Sequence, residues 1–333
     1  MTMQDKRKRA AGKSRRRPRL SSAPRGNNYD SMKELLPAEK LKQLYATMVQ
    51  CRMVKERVRR MFQQGKLKEN SRSRTGREAS EVGVMMGLLP DDCMAPRRHD
   101  VVTGYGLGCR LMPGGALKQV LARLLYPTNH VRLEVFAAWN GSGPRIIAAE
   151  STMAARLNIS TGVALAYQAR KQPNVVVAFS GDDSTALGSW HEAVDFAMTY
   201  KLPIVHVLQS DVWTEPPDPR LLVAVKDMDN AQQETIPTLA VDGNDVVAVY
   251  RVAQECMRRA REGHGPSVIE CKTQRWPAPI SDGPEDPIDR METYLRQKGL
   301  WSDAWKQRLV DSFMRQLDAG EAFAEESAAR KKL

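Results

Sequence analysis

Two aspartates are candidates for chemistry because each closes a short apolar run. Asn174 to Ser180 (NVVVAFS) reads as a strand buried on both faces, and Gly181-Asp182-Asp183 terminates it. A second run, Ile204 to Ser210 (IVHVLQS), ends at Asp211. In an open parallel sheet, ligands collect beyond the carboxyl ends of the strands. Neighbouring parallel strands lie about 4.8 Å apart, so both carboxylates could reach one Mg²⁺ at about 2.0 to 2.1 Å. A helix expected to start near Ala186 would offer its positive N-terminus to a phosphate in the same space. These residue types suit a Mg²⁺–diphosphate site. The competing reading is an ordinary strand-end turn with solvated acids, and spacing alone leaves both open. Other sites are excluded: there is no GxxxxGK[ST], no HExxH and no serine–histidine elbow, and the Gly104 to Gly108 run has the wrong spacing for a dinucleotide loop.

The elements that must position these acids read as a βαβ crossover. A helix over residues 186–200 separates the two strands, and Leu202-Pro203 turns the chain into the second. Residues 151–170 read as a small-residue helix. A second unit follows, with a turn at Val241 to Val246 (VDGNDV), a helix through Arg261 and a strand over residues 266–274. Upstream, Leu41, Leu44, Met48, Val54, Val58 and Met61 recur at helical steps, predicting a helix over residues 38–64 capped by Gly65. Its polar face, Lys55 to Arg60, reads as solvated or as an interface. Thr75-Gly76-Arg77-Glu78-Ala79 leads into an apolar helix expected to run to Leu89. Asp286-Pro287, an N-cap followed by proline, starts a helix to Gly299, and a last helix runs from Ser302.

The chain has 333 residues and a formal charge of +12, but the charge is local. Residues 1–28 hold ten Lys and Arg against Asp5, leaving 41 basic and 38 acidic residues from Tyr29 onward. The division is therefore a disordered basic arm, 1–28, and an α/β body, 29–333. Such an arm can attract nucleic acid non-specifically, against the simpler reading of a solubilising tail. No run approaches the roughly 18 to 20 apolar residues of a membrane span, and no apolar stretch follows the arginines as in a signal peptide. Five scattered cysteines without a CxxC pair read as reduced thiols and imply a cytoplasmic location.

Gly181-Asp182-Asp183, followed after 26 residues by Ser210-Asp211, resembles the thiamine-diphosphate motif, in which Gly-Asp-Gly precedes Asn-Asn. The chain is similar to alpha subunits of 2-oxo acid dehydrogenases of the pyruvate and branched-chain type. Arg59 to Lys66, Gly76-Arg77-Glu78-Ala79, VDGNDV, Val268-Ile269-Glu270 and Asp286 to Leu295 match that family in order. The resemblance implies the thiamine-diphosphate-binding fold, a parallel sheet with helices on both faces. It implies Mg²⁺ held by Asp182, Asp211 and the main-chain carbonyl of Trp213. Gly181, Asp183 and Ser210 would border the cofactor, and Arg98 and His99 stand where the family has a Tyr-Arg clamp on the diphosphate. It also implies a beta subunit in a heterotetramer, a lipoyl acyltransferase partner, and oxidative decarboxylation of a small 2-oxo acid with acyl transfer to a lipoyl carrier. No residue of this chain is assigned a catalytic role.

Three departures bear on turnover. Asp183 replaces a glycine; a carboxylate about 5 Å from a phosphate oxygen costs on the order of 3 kcal/mol at an effective dielectric near 20. Ser210-Asp211 replaces Asn-Asn, adding negative charge that arginines near residue 97 could offset. The family's histidine loop corresponds to Thr273 to Asp282, which has no histidine; its Gly-Arg-Gly-Gly-Ser-Met-His segment is replaced by Val131 to Arg145. A degenerate alpha-like subunit with a binding or regulatory role is the alternative expectation.

Overall fold

Alternate residues of the central strands face opposite ways, and both sets are apolar, so the sheet must be covered twice. The computed structural model describes residues 36–66, 75–97, 117, 145–147, 152–185, 187–210, 236–273 and 286–331, all within one unit, Leu36–Leu333. The expected arm and its boundary at residue 28 lie outside them. In chain order the elements are α1 (Ala38–Gln63), α2 (Glu78–Met85), β1 (Cys93–Ala95), β2 (Arg145–Ile146), α3 (Met153–Ala169), β3 (Val176–Gly181), α4 (Asp182–Thr185), α5 (Gly188–Thr199), β4 (Ile204–Ser210), β5 (Thr238–Asp242), α6 (Val246–Arg261), β6 (Ser267–Lys272), α7 (Pro287–Gln297) and α8 (Asp303–Lys331). Six strands form one sheet in the order β2-β1-β3-β4-β6-β5, every neighbouring pair parallel. The expected α/β fold is the observed one.

Val177, Phe179, Val205 and Val207 pack with Val84, Val249, Ala253 and Met257 of α2 and α6 on one face. Val176, Ala178 and Ile204 pack with Leu157 of α3 and Trp190, Ala193 and Val194 of α5 on the other. α1 and α7 lie outside α2, sharing Leu44, Met48, Val82, Ile288 and Leu295. The approach of α2 to α6 requires Gly83: a Cβ there would stand 2.7 Å from Val249 Cγ1. The amino edge of the sheet is tied by Asp92, which is fully buried. Its carboxylate accepts from Leu89 N (2.7 Å) and Val175 N (2.9 Å). Arg261 grips both oxygens, Nη1 at 2.8 Å on Oδ1 and Nη2 on Oδ2.

Three strands escaped the sequence. β1 and β2 are too short to show a periodicity, and β5 is an edge strand with mostly exposed positions. α2 stops at Met85 rather than Leu89, where Gly87 breaks the run. On the polar face of α1, expected to be solvated or an interface, one residue needs correction: Lys55 is buried within the chain, while Glu56 and Arg60 are exposed. Its ammonium sits 2.8 Å from Glu81 and 3.4 Å from Glu78. Arg52 adds bonds of 2.7 Å to Glu78 and 2.5 Å to Asp286. This five-residue ionic cluster joins α1, α2 and the N-cap of α7, where Asp286 Oδ1 accepts from Ile288 N as the Asp-Pro pair predicts.

Candidate functional site

The carboxyl edge is where the sequence placed chemistry, and its register is explicit. Gly181 at the end of β3 pairs with Gln209 of β4, so Asp182 and Ser210 are the next residues out of adjacent strands. The sequence predicted β3 and β4 as parallel neighbours, as observed; the expected partner of Asp182, Asp211, lies outside the described residues. The chain then turns: Asp182–Thr185 forms a single helical turn, and Gly181 N–H donates to Ser184 Oγ at 3.2 Å. The long crossover helix therefore starts at Gly188, later than the expected Ala186. The side chains of Asp182 and Asp183, and the residues Asp211, Trp213, Arg98 and His99, lie outside what the structure describes. Arg97 is described, two residues beyond the end of β1, which lies against β3. Arg156 of α3 holds that exit, its Nη1 2.5 Å from the carbonyl of Pro96.

Residues that the sequence reading did not single out brace this edge. Gln209 is fully buried and donates through Nε2 to Ser80 Oγ at 3.0 Å. Ser80 in turn donates to the Arg77 carbonyl at 2.9 Å. The Ser210 carbonyl accepts from Thr273 N (2.8 Å) and Thr273 Oγ1 (3.1 Å). Gly243 N–H donates to the Lys272 carbonyl at 2.8 Å, and a Cβ on Gly243 would fall 2.5 Å from Thr273 Cγ2. The glycine of VDGNDV is thus required where β5 and β6 close together. The Gly76 to Ser80 segment supports β4 from outside the sheet, and Glu78 accepts from Gly76 N at 2.8 Å.

Glu78 shows how α2 is fixed. Burial works against its ionisation, yet the Lys55 ammonium and the Arg52 guanidinium hold its carboxyl down at about 2. The histidines give a contrast. His206 sits mid-strand in β4, fully buried, with neither ring nitrogen hydrogen-bonded among the described residues. Burial alone pushes it down to about 4. The folded protein thus refuses a proton that the unfolded chain accepts below about 6.5. Stability is full above that value and falls as the pH drops toward 4, by about 2 kcal/mol between pH 7 and pH 5. Urea unfolding at those two pH values should show this loss, and His206→Leu should remove most of it. An equal loss in the variant would assign the acid sensitivity elsewhere. His191 lies partly exposed on α5 with its ring 5.4 Å from that of Trp190, and His264 is exposed near Glu262. Four cysteines, Cys51, Cys93, Cys256 and Cys271, are buried free thiols.

The residue types at this edge suit a hard divalent cation. Adjacent strand ends supply carboxylate-bearing and hydroxyl-bearing residues, Asp182 and Ser210, at neighbouring positions. The Gln209 carbonyl oxygen, buried and without a partner among the described residues, lies one position behind. No group of three or more metal-ligating side chains occurs among the described residues, which do not include the side chains of Asp182 and Asp183.

Comparison with known proteins shows the family. The sequence model for the dehydrogenase E1 component matches residues 45–278. The chain is 28% identical to the pyruvate dehydrogenase E1 component subunit alpha of Acholeplasma laidlawii, covering 87% of this chain and 85% of that protein. It is 31% identical to the 3-methyl-2-oxobutanoate dehydrogenase subunit alpha of Mycobacterium tuberculosis, covering 83% and 76% respectively. The pyruvate dehydrogenase E1 component subunit alpha of Staphylococcus epidermidis is 27% identical over a similar span.

Proposed function

Because the chain belongs to the dehydrogenase E1 component family, we propose that it is the alpha-type subunit of a thiamine-diphosphate-dependent 2-oxo acid dehydrogenase. The observation that carries this reading is the in-register pairing of Gly181 with Gln209. It sets Asp182 and Ser210 at adjacent positions on the ligand-binding edge. In this proposal Asp182, Asp211 and the carbonyl of Trp213 hold Mg²⁺, and backbone groups of Gly181 and Asp183 border the diphosphate. Ser210 lies alongside, and Arg98 and His99 balance the phosphate charge. Thiamine diphosphate, when bound, supplies the electron sink for loss of carbon dioxide from a small 2-oxo acid. The chain's own residues anchor, orient and neutralise.

The proposal extends to partners. A beta subunit would complete the site in a heterotetramer, and a lipoyl acyltransferase component would receive the acyl group. The buried free thiols support a cytoplasmic location. No helix among the described residues is long and apolar enough to cross a membrane.

Calorimetric titration of thiamine diphosphate into the chain co-purified with its beta partner tests the reading. Saturable binding that requires Mg²⁺ is expected. Absence of binding in the intact assembly would overturn the enzyme reading and leave an alpha-like subunit that only docks a partner.

A further inference from the structure

We propose that Gln209 is a positioning residue, which holds the carboxyl end of β4 beside Gly181 and Asp182 for metal and diphosphate binding. The inference rests on the reading given under Proposed function. It begins from an oddity in the core. β4 turns Val205 and Val207 toward α2 and α6, and by strand alternation Gln209 faces the same way. The next position on that apolar face is thus an amide with no solvent exposure. Its Nε2 is bonded to Ser80 Oγ at 3.0 Å, while its carbonyl oxygen has no partner among the described residues. An orphaned buried carbonyl is destabilising, and an apolar side chain of similar volume would avoid it. Stability alone does not account for the amide.

Position does. The Gln209–Ser80–Arg77 carbonyl relay pins the strand end to the first turn of α2. That turn is itself immobilised by the ionic cluster through Glu78. On one side Gln209 pairs with Gly181. On the other, the Ser210 carbonyl is held by two bonds from Thr273. The strand end is therefore fixed from β3, from β6 and from α2. The α2 restraint depends wholly on side chains, which can be removed without touching the ladder, whereas the β3 and β6 restraints keep their backbone bonds.

The experiment uses the full chain assembled with its beta partner, comparing wild type, Gln209→Leu and Ser80→Ala. Thiamine diphosphate affinity is measured by calorimetry in the presence of Mg²⁺. The bound ion is examined separately by electron paramagnetic resonance with Mn²⁺ as the probe, and folding by urea unfolding. Both variants are expected to raise the dissociation constant at least tenfold and to broaden the bound Mn²⁺ spectrum in the same way. The double variant should be no worse than Gln209→Leu, because both changes cut one relay. Unaltered affinity and spectrum in folded variants would overturn the positioning role. A wild-type assembly that binds neither Mn²⁺ nor thiamine diphosphate would instead overturn the parent reading. Should Gln209→Leu fail to fold, Ser80→Ala removes a single oxygen and carries the test alone.

Discussion

Lys55→Met is expected to lower the stability of the chain by about 3 to 5 kcal/mol, the range for removing one partner of a buried ion pair. The charge count in the cluster decides why this residue, and not its neighbour Glu78, gives the larger effect. Arg52 and Lys55 face Glu78, Glu81 and Asp286. Among these five residues, removing Lys55 leaves three carboxylates with one guanidinium. Replacing Glu78 by Gln leaves two cations with two anions, and a carboxyl lowered from 4.5 to about 2 carries about 3 kcal/mol at neutral pH, so its cost should sit at the low end of that range. The wild-type Glu78 carboxyl titrates at about 2, below its ordinary value near 4.5. Its contribution is therefore complete above about pH 4.5 and is lost as the pH falls through 2. In Lys55→Met part of that loss should move to higher pH. Urea unfolding of the two variants at pH 7 and pH 4 checks both statements, and equal destabilisation by Lys55→Met and Glu78→Gln would refute the charge count.

Asp182→Asn is expected to weaken Mg²⁺-dependent thiamine diphosphate binding by at least a hundredfold with little change in stability. The substitution keeps the size of a residue in the α4 turn and removes one negative charge from the proposed coordination sphere. Mg²⁺ sites rely on one or two carboxylates besides the phosphates, and losing about 3 kcal/mol of attraction is a factor of about a hundred. The adjacent residue gives the opposite sign. In the proposed site Asp183→Gly takes a carboxylate away from the phosphate and should tighten binding, while glycine in a helical turn lowers stability by about 1 kcal/mol. Calorimetry on the assembled protein separates them. Tightening by Asp182→Asn, or loss by Asp183→Gly, would exchange the roles of the two acids.

The central crossover was legible because its strands are apolar on both faces and its boundaries carry Gly-Asp and Leu-Pro turns. The ends of α1 and α7 were legible for a local reason too: Gly65 takes φ +72° after α1, and Asp286 caps α7 by its own side chain. What stayed hidden depends on tertiary context. Lys55 sits among charged residues in the sequence and looks solvated; only the folding of α2 against α1 brings Glu78 and Glu81 to it. Gln209 looks like the polar close of a strand, and Ser80 lies 129 residues away. β5 alternates too weakly to be seen without β6 beside it. The adjacency of β3 and β4 followed from the crossover pattern, while the brace behind their ends needed coordinates.

The Asp92–Arg261 clamp divides the molecule's labour. It gathers the segments before β1 and β3 and the end of α6, at the rim farthest from Asp182 and Ser210. A dye or affinity handle engineered at the exposed His264 corner would therefore sit away from the Asp182 edge. Substitutions at the opposite rim leave this remote buckle untouched, so their effects on binding can be read apart from the anchoring of the sheet.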